Sequence, residues 1–266
     1  MKLLSNLLDP DILRQFLNLL AILAAFGINI LANIAPFNGQ TIGEISNTVF
    51  REVLITPANY AFAIWGLIYL GLISLGVYQV LPRQRQNANL RRIGYLLVLA
   101  SLAQIFWVFF FQYGLFTLSL VAMVGILLPL IVIYLRLEIG LRRFSRGDKW
   151  LLQIPLSIYL AWISVATIVN VATTLYALDW NGWGINPEVW SAIALLAGAA
   201  IGAIVSIQRA DLAFVLVIVW ALVAIAVRQA NTPLVAITSS GLAIALILLI
   251  TFNLVRRRQS SANFKS

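Results

Sequence analysis

The sequence predicts an all-α integral membrane helical bundle of about eight transmembrane helices. Three observations predict it. First, 62% of the 266 residues are hydrophobic and only 10% are charged, whereas soluble domains carry roughly 25% charged residues. Second, apolar runs of the length needed to cross a hydrocarbon core, about 20 residues each, recur along the chain. They fall at 12–34, 57–81, 92–112, 115–135, 150–177, 188–207, 212–229 and 233–255. Third, weaving the chain through these spans puts sixteen of the eighteen basic residues on one face. Lys2 and Arg14 precede or open the first span. Arg83, Arg85, Arg91 and Arg92 lie between the second and third, and Arg136, Arg142, Arg143, Arg146 and Lys149 between the fourth and fifth. Arg209 lies between the sixth and seventh, and Arg256, Arg257, Arg258 and Lys265 form the tail. Only Arg51 and Arg228 fall opposite. An excess of Lys and Arg marks the cytoplasmic side, so both termini are expected there, in a cell (inner) membrane. A miscounted span would scramble the asymmetry.

The helix signals follow the same weave. Thr56-Pro57, Asn186-Pro187 and Thr232-Pro233 each place a capping residue before a proline, a pair favoured at helix starts. All three mark spans that begin on the outer face. Tyr113-Gly114 makes a tight turn, so the third and fourth spans are expected to be antiparallel neighbours. Asp9-Pro10-Asp11 precedes the first apolar run without a basic leader or a small-residue cleavage site, so that run is read as a retained span. Ala194, Gly198, Gly202 and Ser206 form a stripe of small residues at four-residue spacing. It suits close helix packing within the chain, with a homodimer as the alternative.

Two outer loops are long. In 35–56, Ile42, Ile45, Val49 and Val53 recur at three- to four-residue spacing, opposite Glu44, Asn47, Arg51 and Glu52. This predicts a short amphipathic helix, either an interfacial anchor or a lid over a cavity. Trp180, Trp183 and Trp190 in and beside the second loop fit an interfacial aromatic belt, with Trp150 as an inner counterpart.

Composition excludes several functions. The net charge of +9 sits in short loops beside span ends, where it orients helices and meets anionic lipid rather than nucleic acid. The chain has no Cys and no His, which removes thiol chemistry and the commonest metal ligand and general base. No acidic residue lies in mid-span, which argues against an ion-coupled carrier. No nucleophile–base pair, metal cluster or phosphate loop is present, so no enzyme, metal or cofactor is expected.

Polar and aromatic residues of three spans reach a common depth. At 1.5 Å per residue, Trp65 lies roughly 12 Å below the outer surface. Trp107 and Gln104 lie roughly 8–12 Å down, and Asn170 and Thr167 roughly 10–15 Å. Trp162, Ala166 and Asn170 share one helix face, as do Trp65 and Tyr69. From residue types alone, two readings stay open. These groups either bond helices to each other or line a cavity for a flat, largely apolar ligand.

The same residues carry a family resemblance. Thr56-Pro57-Ala58-Asn59-Tyr60-Ala61-Phe62-Ala63-Ile64-Trp65-Gly66-Leu67-Ile68-Tyr69 resembles the Pro-x-x-Trp-x-Phe-x-x-x-Trp-x-x-Leu-Tyr signature of the TspO/MBR family, the tryptophan-rich sensory proteins. Gln104-Ile105-Phe106-Trp107 with Phe109-Phe110 resembles its Asn-x-x-Trp and phenylalanine pair. Pro155, then Trp162 to Asn170, resembles its Pro…Trp-x-x-Phe-Ala-Thr-x-x-Asn. Tyr60, Gln104 and Val165 depart from the usual tryptophan, asparagine and phenylalanine. The resemblance implies a five-helix unit over 1–177, followed over 178–266 by three additional transmembrane helices and a basic cytoplasmic tail, as in a longer branch of the family. It implies a receptor-like protein that binds a hydrophobic small molecule, a porphyrin or related tetrapyrrole, for sensing or transfer. The implied contacts are Tyr60, Phe62, Trp65, Tyr69, Gln104, Trp107, Trp162, Ala166, Thr167 and Asn170. The alternatives are a small-molecule permease or exporter using all eight spans, and a ligand-free assembly or regulatory subunit.

The charge asymmetry makes the topology testable, and the cysteine-free background makes the test simple. Single cysteines at Asn38 and Asn181 should react with an impermeant maleimide applied to intact cells, and one at Asn87 should not. The reverse pattern overturns the orientation, and a mixed pattern overturns the span count.

Overall fold

The computed structural model describes residues 9–263, with side chains through Arg256. Lys2 and the side chains of Arg257, Arg258 and Lys265, expected on the inner face, lie outside the described residues. Among the described residues all regular structure is helical. In chain order the helices are α1 (Pro10–Ile34), α2 (Ile42–Thr48), α3 (Ile64–Val80), α4 (Ala88–Ile93), α5 (Leu96–Gln112), α6 (Phe116–Arg136), α7 (Ile154–Ala177), α8 (Pro187–Arg209), α9 (Leu212–Arg228) and α10 (Pro233–Asn263). A 3₁₀ turn, Asn59–Ala63, leads into α3, and a π turn, Lys149–Gln153, leads into α7.

The eight long helices coincide with the eight predicted spans. Six are long and apolar enough to cross a membrane; α5 and α9 are equally apolar but shorter. Each of these two has 17 residues, about 25 Å of helix, at the lower limit for a span. The expected third span from residue 92 begins later. Gly94 adopts φ +59° and breaks the chain between α4 and α5, so Arg91 and Arg92 sit on a separate short helix. The Thr-Pro starts are also corrected. Asn186 caps α8 by accepting from the Glu188 N–H at 2.8 Å. The Thr232 hydroxyl instead donates to Gln229 Oε1 at 3.4 Å. Thr56 caps nothing, because the helix starts three residues later at Asn59.

Helix α7 is the centre of the bundle. Of its most apolar window 56% is buried, against 28–39% in the other candidate spans. It packs against α3, α6 and α9, and more lightly against α8. Helices α5 and α6 form the expected tight hairpin, with Gly114 at φ +73° in the turn. Helix α1 packs on α3 and α5, and α8, α9 and α10 pack on one another beside α7. The small-residue stripe is used within the chain. A Cβ on Gly202 would come within 3.2 Å of Leu246 on α10, and Asn253 Nδ2 donates to Ser206 Oγ at 3.0 Å.

Ion pairs and hydrogen bonds gather the expected inner loops at one end. Asp9 pairs with Arg85, and Asp11 with Arg91 and Arg14. Arg92 approaches Glu138 at 3.7 Å, and Arg209 donates to the Ile139 carbonyl at 2.8 Å. The Asp11 N–H, followed by Arg85, holds the Asp9 carboxyl below the usual carboxylate range. Tyr78 Oη and the amides of Asn87 and Asn89 donate to buried Asp148 at 2.9–3.0 Å. Asn87 is therefore structural, and exposed Gln86 is the better inner labelling position.

Candidate functional site

The opposite end of the bundle holds a cavity under a folded cap. Its walls are Phe62 and Trp65 from the start of the second span, Trp107 and Phe111 of α5, Met123 of α6, and Trp162, Val165, Ala166, Val169, Asn170 and Thr173 of α7. Ile42, Ser46, Thr56 and Pro57 of the cap complete it. Counted with its open mouth it holds about 610 Å³ of empty space, of which about 60 Å³ admits the centre of a water-sized sphere. That is room for about four to six waters.

The aromatic walls are fixed by contact with one another. Trp65 stacks on Tyr69 with centroids 5.6 Å apart and meets Tyr159 edge-on at 6.3 Å. Phe62 stands perpendicular to Trp162 at 6.1 Å. Trp107 stacks on Phe111 at 5.2 Å. Asn170 holds the Trp107 edge. Its Oδ1 accepts from Trp107 Nε1 at 2.8 Å, and its Nδ2 donates to Ser119 Oγ at 3.1 Å and Thr174 Oγ1 at 3.4 Å. Ser119 and Thr174 in turn donate to the Phe116 carbonyl. One amide thus joins α5, α6 and α7, and its donors and acceptor are already engaged.

Two residues of the cavity lining also keep a polar atom that is not engaged. Trp162 Nε1 and Thr56 Oγ1 are buried and have no hydrogen-bond partner among the described residues. The place of Thr56 is not legible in the sequence, where Thr56-Pro57 reads as a helix cap.

Six of the ten expected contacts line the cavity: Phe62, Trp65, Trp107, Trp162, Ala166 and Asn170. Tyr69 backs Trp65, with its hydroxyl 3.4 Å from the Ala25 carbonyl. Gln104 is buried off the cavity, and neither of its amide atoms is hydrogen-bonded among the described residues. The Thr167 hydroxyl donates to the Ile163 carbonyl at 2.7 Å within α7. Tyr60 is 43% exposed and meets Trp220 of α9 edge-on at 5.2 Å.

The cap is built by the expected amphipathic pattern, with one exchange. Thr41 and Glu44 form a capping box at the start of α2, and the Thr41 N–H holds the Glu44 carboxyl below its usual range. Ile45 and Val53 are buried as expected, but Val49 is 44% exposed and Phe50 is fully buried in its place. Val49 still has helical backbone and its N–H donates to the Ile45 carbonyl at 3.0 Å, but the Phe50 N–H reaches the same carbonyl at 3.2 Å, a wider closing turn that ends the helix and carries Phe50 inward. Phe50 packs edge-on against Phe116 at 4.7 Å and Tyr176 at 6.1 Å. Gln112, at the end of α5, pins the approach to α2. Its Nε2 donates to the carbonyls of Ala32 at 2.8 Å and Gln40 at 3.2 Å, and its Oε1 accepts from the Phe37 N–H at 3.3 Å.

Helix α9 holds the other side of the cap. Arg228 donates to Asn47 Oδ1 at 2.8 Å, the Ser46 carbonyl at 3.2 Å and the Pro57 carbonyl at 3.4 Å. The Ala58 N–H donates to the Ala224 carbonyl at 3.1 Å, and Trp220 Nε1 donates to the Ala61 carbonyl at 3.2 Å. Asn47 also donates to Asn59 Oδ1 at 2.9 Å. A helix outside the first five spans therefore secures the covering of a cavity built within them. The sequence reading used Arg228 only as an outer-face charge.

A family profile described as TSPO-like protein matches residues 15–252. The chain belongs to that family. The TSPO-like match runs from α1 into α10, so it takes in the cavity, the cap and the α9 clamp. No curated protein and no solved structure matches the chain. Family and apolar helices together make this a multi-pass protein of a lipid bilayer.

The clamp has a measurable consequence. Hydrogen bonds to a charged group contribute roughly 1.5–3 kcal/mol. Arg228→Gln should therefore raise amide hydrogen exchange across residues 42–58 by about tenfold or more and leave α5 unchanged. Unchanged exchange in the cap would show that Arg228 does not hold it.

Proposed function

We propose that this TSPO-like protein binds a flat, largely apolar small molecule in the capped tryptophan cavity, a porphyrin or related tetrapyrrole, for sensing or transfer. The observation that carries this reading is that two residues of a lining rich in aromatics, Trp162 and Thr56, each hold a buried polar atom, Nε1 and Oγ1, without a hydrogen-bond partner among the described residues. A buried donor left without a partner costs about 1–3 kcal/mol. A ligand with an acceptor at that place recovers this energy, while the indoles offer stacking faces. Such a mix of apolar walls and a few placed polar groups is what orients a ligand in a pocket.

Eight of the ten expected contacts then take specific roles. Trp65, Trp107 and Trp162 face the ring system, and Phe62 and Ala166 set its thickness. Trp162 and Thr56 hydrogen-bond its polar substituent. Asn170 acts by holding Trp107 in place, because its own amide is already engaged. Tyr69 supports Trp65 from behind. Gln104, one turn along α5 from Trp107, is a further unsatisfied amide that a large ligand meets as the walls part. A tetrapyrrole is several times larger than the closed space, so its uptake requires the cap to move. In this account residues 1–177 form the binding unit, and 178–266 supply the clamp and the basic tail on the cytoplasmic side.

Trp162→Phe keeps an aromatic wall and removes the unpartnered N–H. In bilayer nanodiscs, protoporphyrin IX should quench tryptophan emission saturably. Trp162→Phe should weaken its affinity about five- to tenfold, the loss of one polar contact of roughly 1–1.5 kcal/mol. Tyr60→Phe should bind like the parent. Equal affinity in Trp162→Phe and parent refutes the assigned contact. No quenching in any form refutes the ligand class, and porphyrin flux across proteoliposomes would move the permease reading ahead.

A further inference from the structure

A second cavity adjoins the first across α7. It is lined by Ile55 of the cap, by Val165, Ile168 and Val169 of α7, and by residues of α8 and α9 that include Ala194 and Gly198. Every residue lining it is apolar or glycine. Counted with its open side it holds about 330 Å³ of empty space, of which about 30 Å³ admits the centre of a water-sized sphere. A space with no polar lining stays dry, so water is a poor occupant.

Val165 and Val169 line both cavities. They are four residues apart and lie on one face of α7. The cap is divided in the same way, with Ile55 on the second cavity and the next residue, Thr56, on the first. The two valines and the Ile55–Thr56 step of the cap thus stand between the aromatic cavity and a purely aliphatic one. The far wall is kept open by small residues. A Cβ on Gly198 would sit 3.5 Å from Ile168 Cδ1, so a longer side chain there presses on Ile168, which lines the same space.

We infer that the second cavity seats an aliphatic tail carried by the ligand whose ring system occupies the tryptophan cavity. The ligand class is then a flat conjugated ring bearing a hydrocarbon chain. This inference rests on the ring-binding reading above. Helix α9, besides clamping the cap, builds the tail chamber together with α8, which gives helices beyond the first five a part in selecting the ligand. A lipid acyl chain offers the same aliphatic chemistry from another source, and the test separates the two.

The test compares protoporphyrin IX with its monobutyl ester, whose short chain suits a space of this size, using the full chain in phospholipid nanodiscs and expressing each probe as a mole fraction of the bilayer. Tryptophan quenching gives both affinities. The parent should bind the ester about tenfold more tightly than the free porphyrin, the effect of packing a chain into a matched space. Gly198→Leu should remove that advantage and leave free porphyrin binding unchanged, and the milder Gly198→Ala should reduce it. Equal binding of the two probes by the parent overturns the tail site while leaving the ring site standing. An advantage that persists in both variants overturns it too, because the chain is then seated elsewhere. An advantage seen in phospholipid-free detergent but lost in nanodiscs assigns the chamber to lipid and overturns the ligand-tail inference. Failure of both probes to bind removes the ring reading and this inference with it.

Discussion

A polar side chain buried among membrane helices must find its partners within the chain, and the Asn170 amide finds them on three helices at once. Trp107 of α5, Ser119 of α6 and Thr174 of α7 use its acceptor and both of its donors. Lipid offers no competing hydrogen bonds at this depth, so the arrangement specifies how the α5–α6 hairpin docks on α7. The orientation of the Trp107 ring follows, and with it one wall of the cavity. The remaining walls come from the helix face that presents Trp162 and Ala166 and from the start of the second span.

The covering of that cavity depends on helices from both ends of the chain. Gln112 ties the approach to α2 to the ends of α1 and α5, while Arg228 and Trp220 of α9 tie the far side. Phe50 is driven under the cap by burial against Phe116 and Tyr176. The resulting enclosure is smaller than a large planar ligand. Under the proposed reading, entry of such a ligand breaks polar contacts that α9 makes, so a helix that does not line the tryptophan cavity bears on its occupancy.

Much of the fold was legible in the sequence because its determinants are local. Hydropathy over 20-residue windows located the eight long helices, and the one-sided placement of Arg and Lys matched the loops that Asp9–Arg85, Asp11–Arg91 and Arg209–Ile139 bring together. The shared depth of Trp107 and Asn170 came from helical rise alone, and their 2.8 Å hydrogen bond accords with it. What stayed hidden were choices made by tertiary contact. Thr56 had a good local role as a cap and lost it because the helix starts later. Val49 fits the apolar period and lies on the last helical turn, but the wider closing turn from Phe50 back to Ile45 places Phe50 in the buried position instead. Gln112 and Arg228 carried no motif, since their partners are mostly backbone carbonyls far away in the chain. Tyr78 and Tyr134 likewise donate to partners far away in the chain, Asp148 and Asp211.

Opening of the cap is the step on which the functional account stands, and holding it shut tests that step directly. The chain has no native cysteine, so cysteines at Asn47 and Asn59, whose side chains meet at 2.9 Å, can be joined by a short cleavable thiol crosslinker. Porphyrin uptake should be measured by tryptophan quenching before crosslinking, after it, and after cleavage. The account predicts uptake reduced to background in the crosslinked protein and restored on cleavage. Uptake at the parent rate and affinity with the cap crosslinked would contradict it.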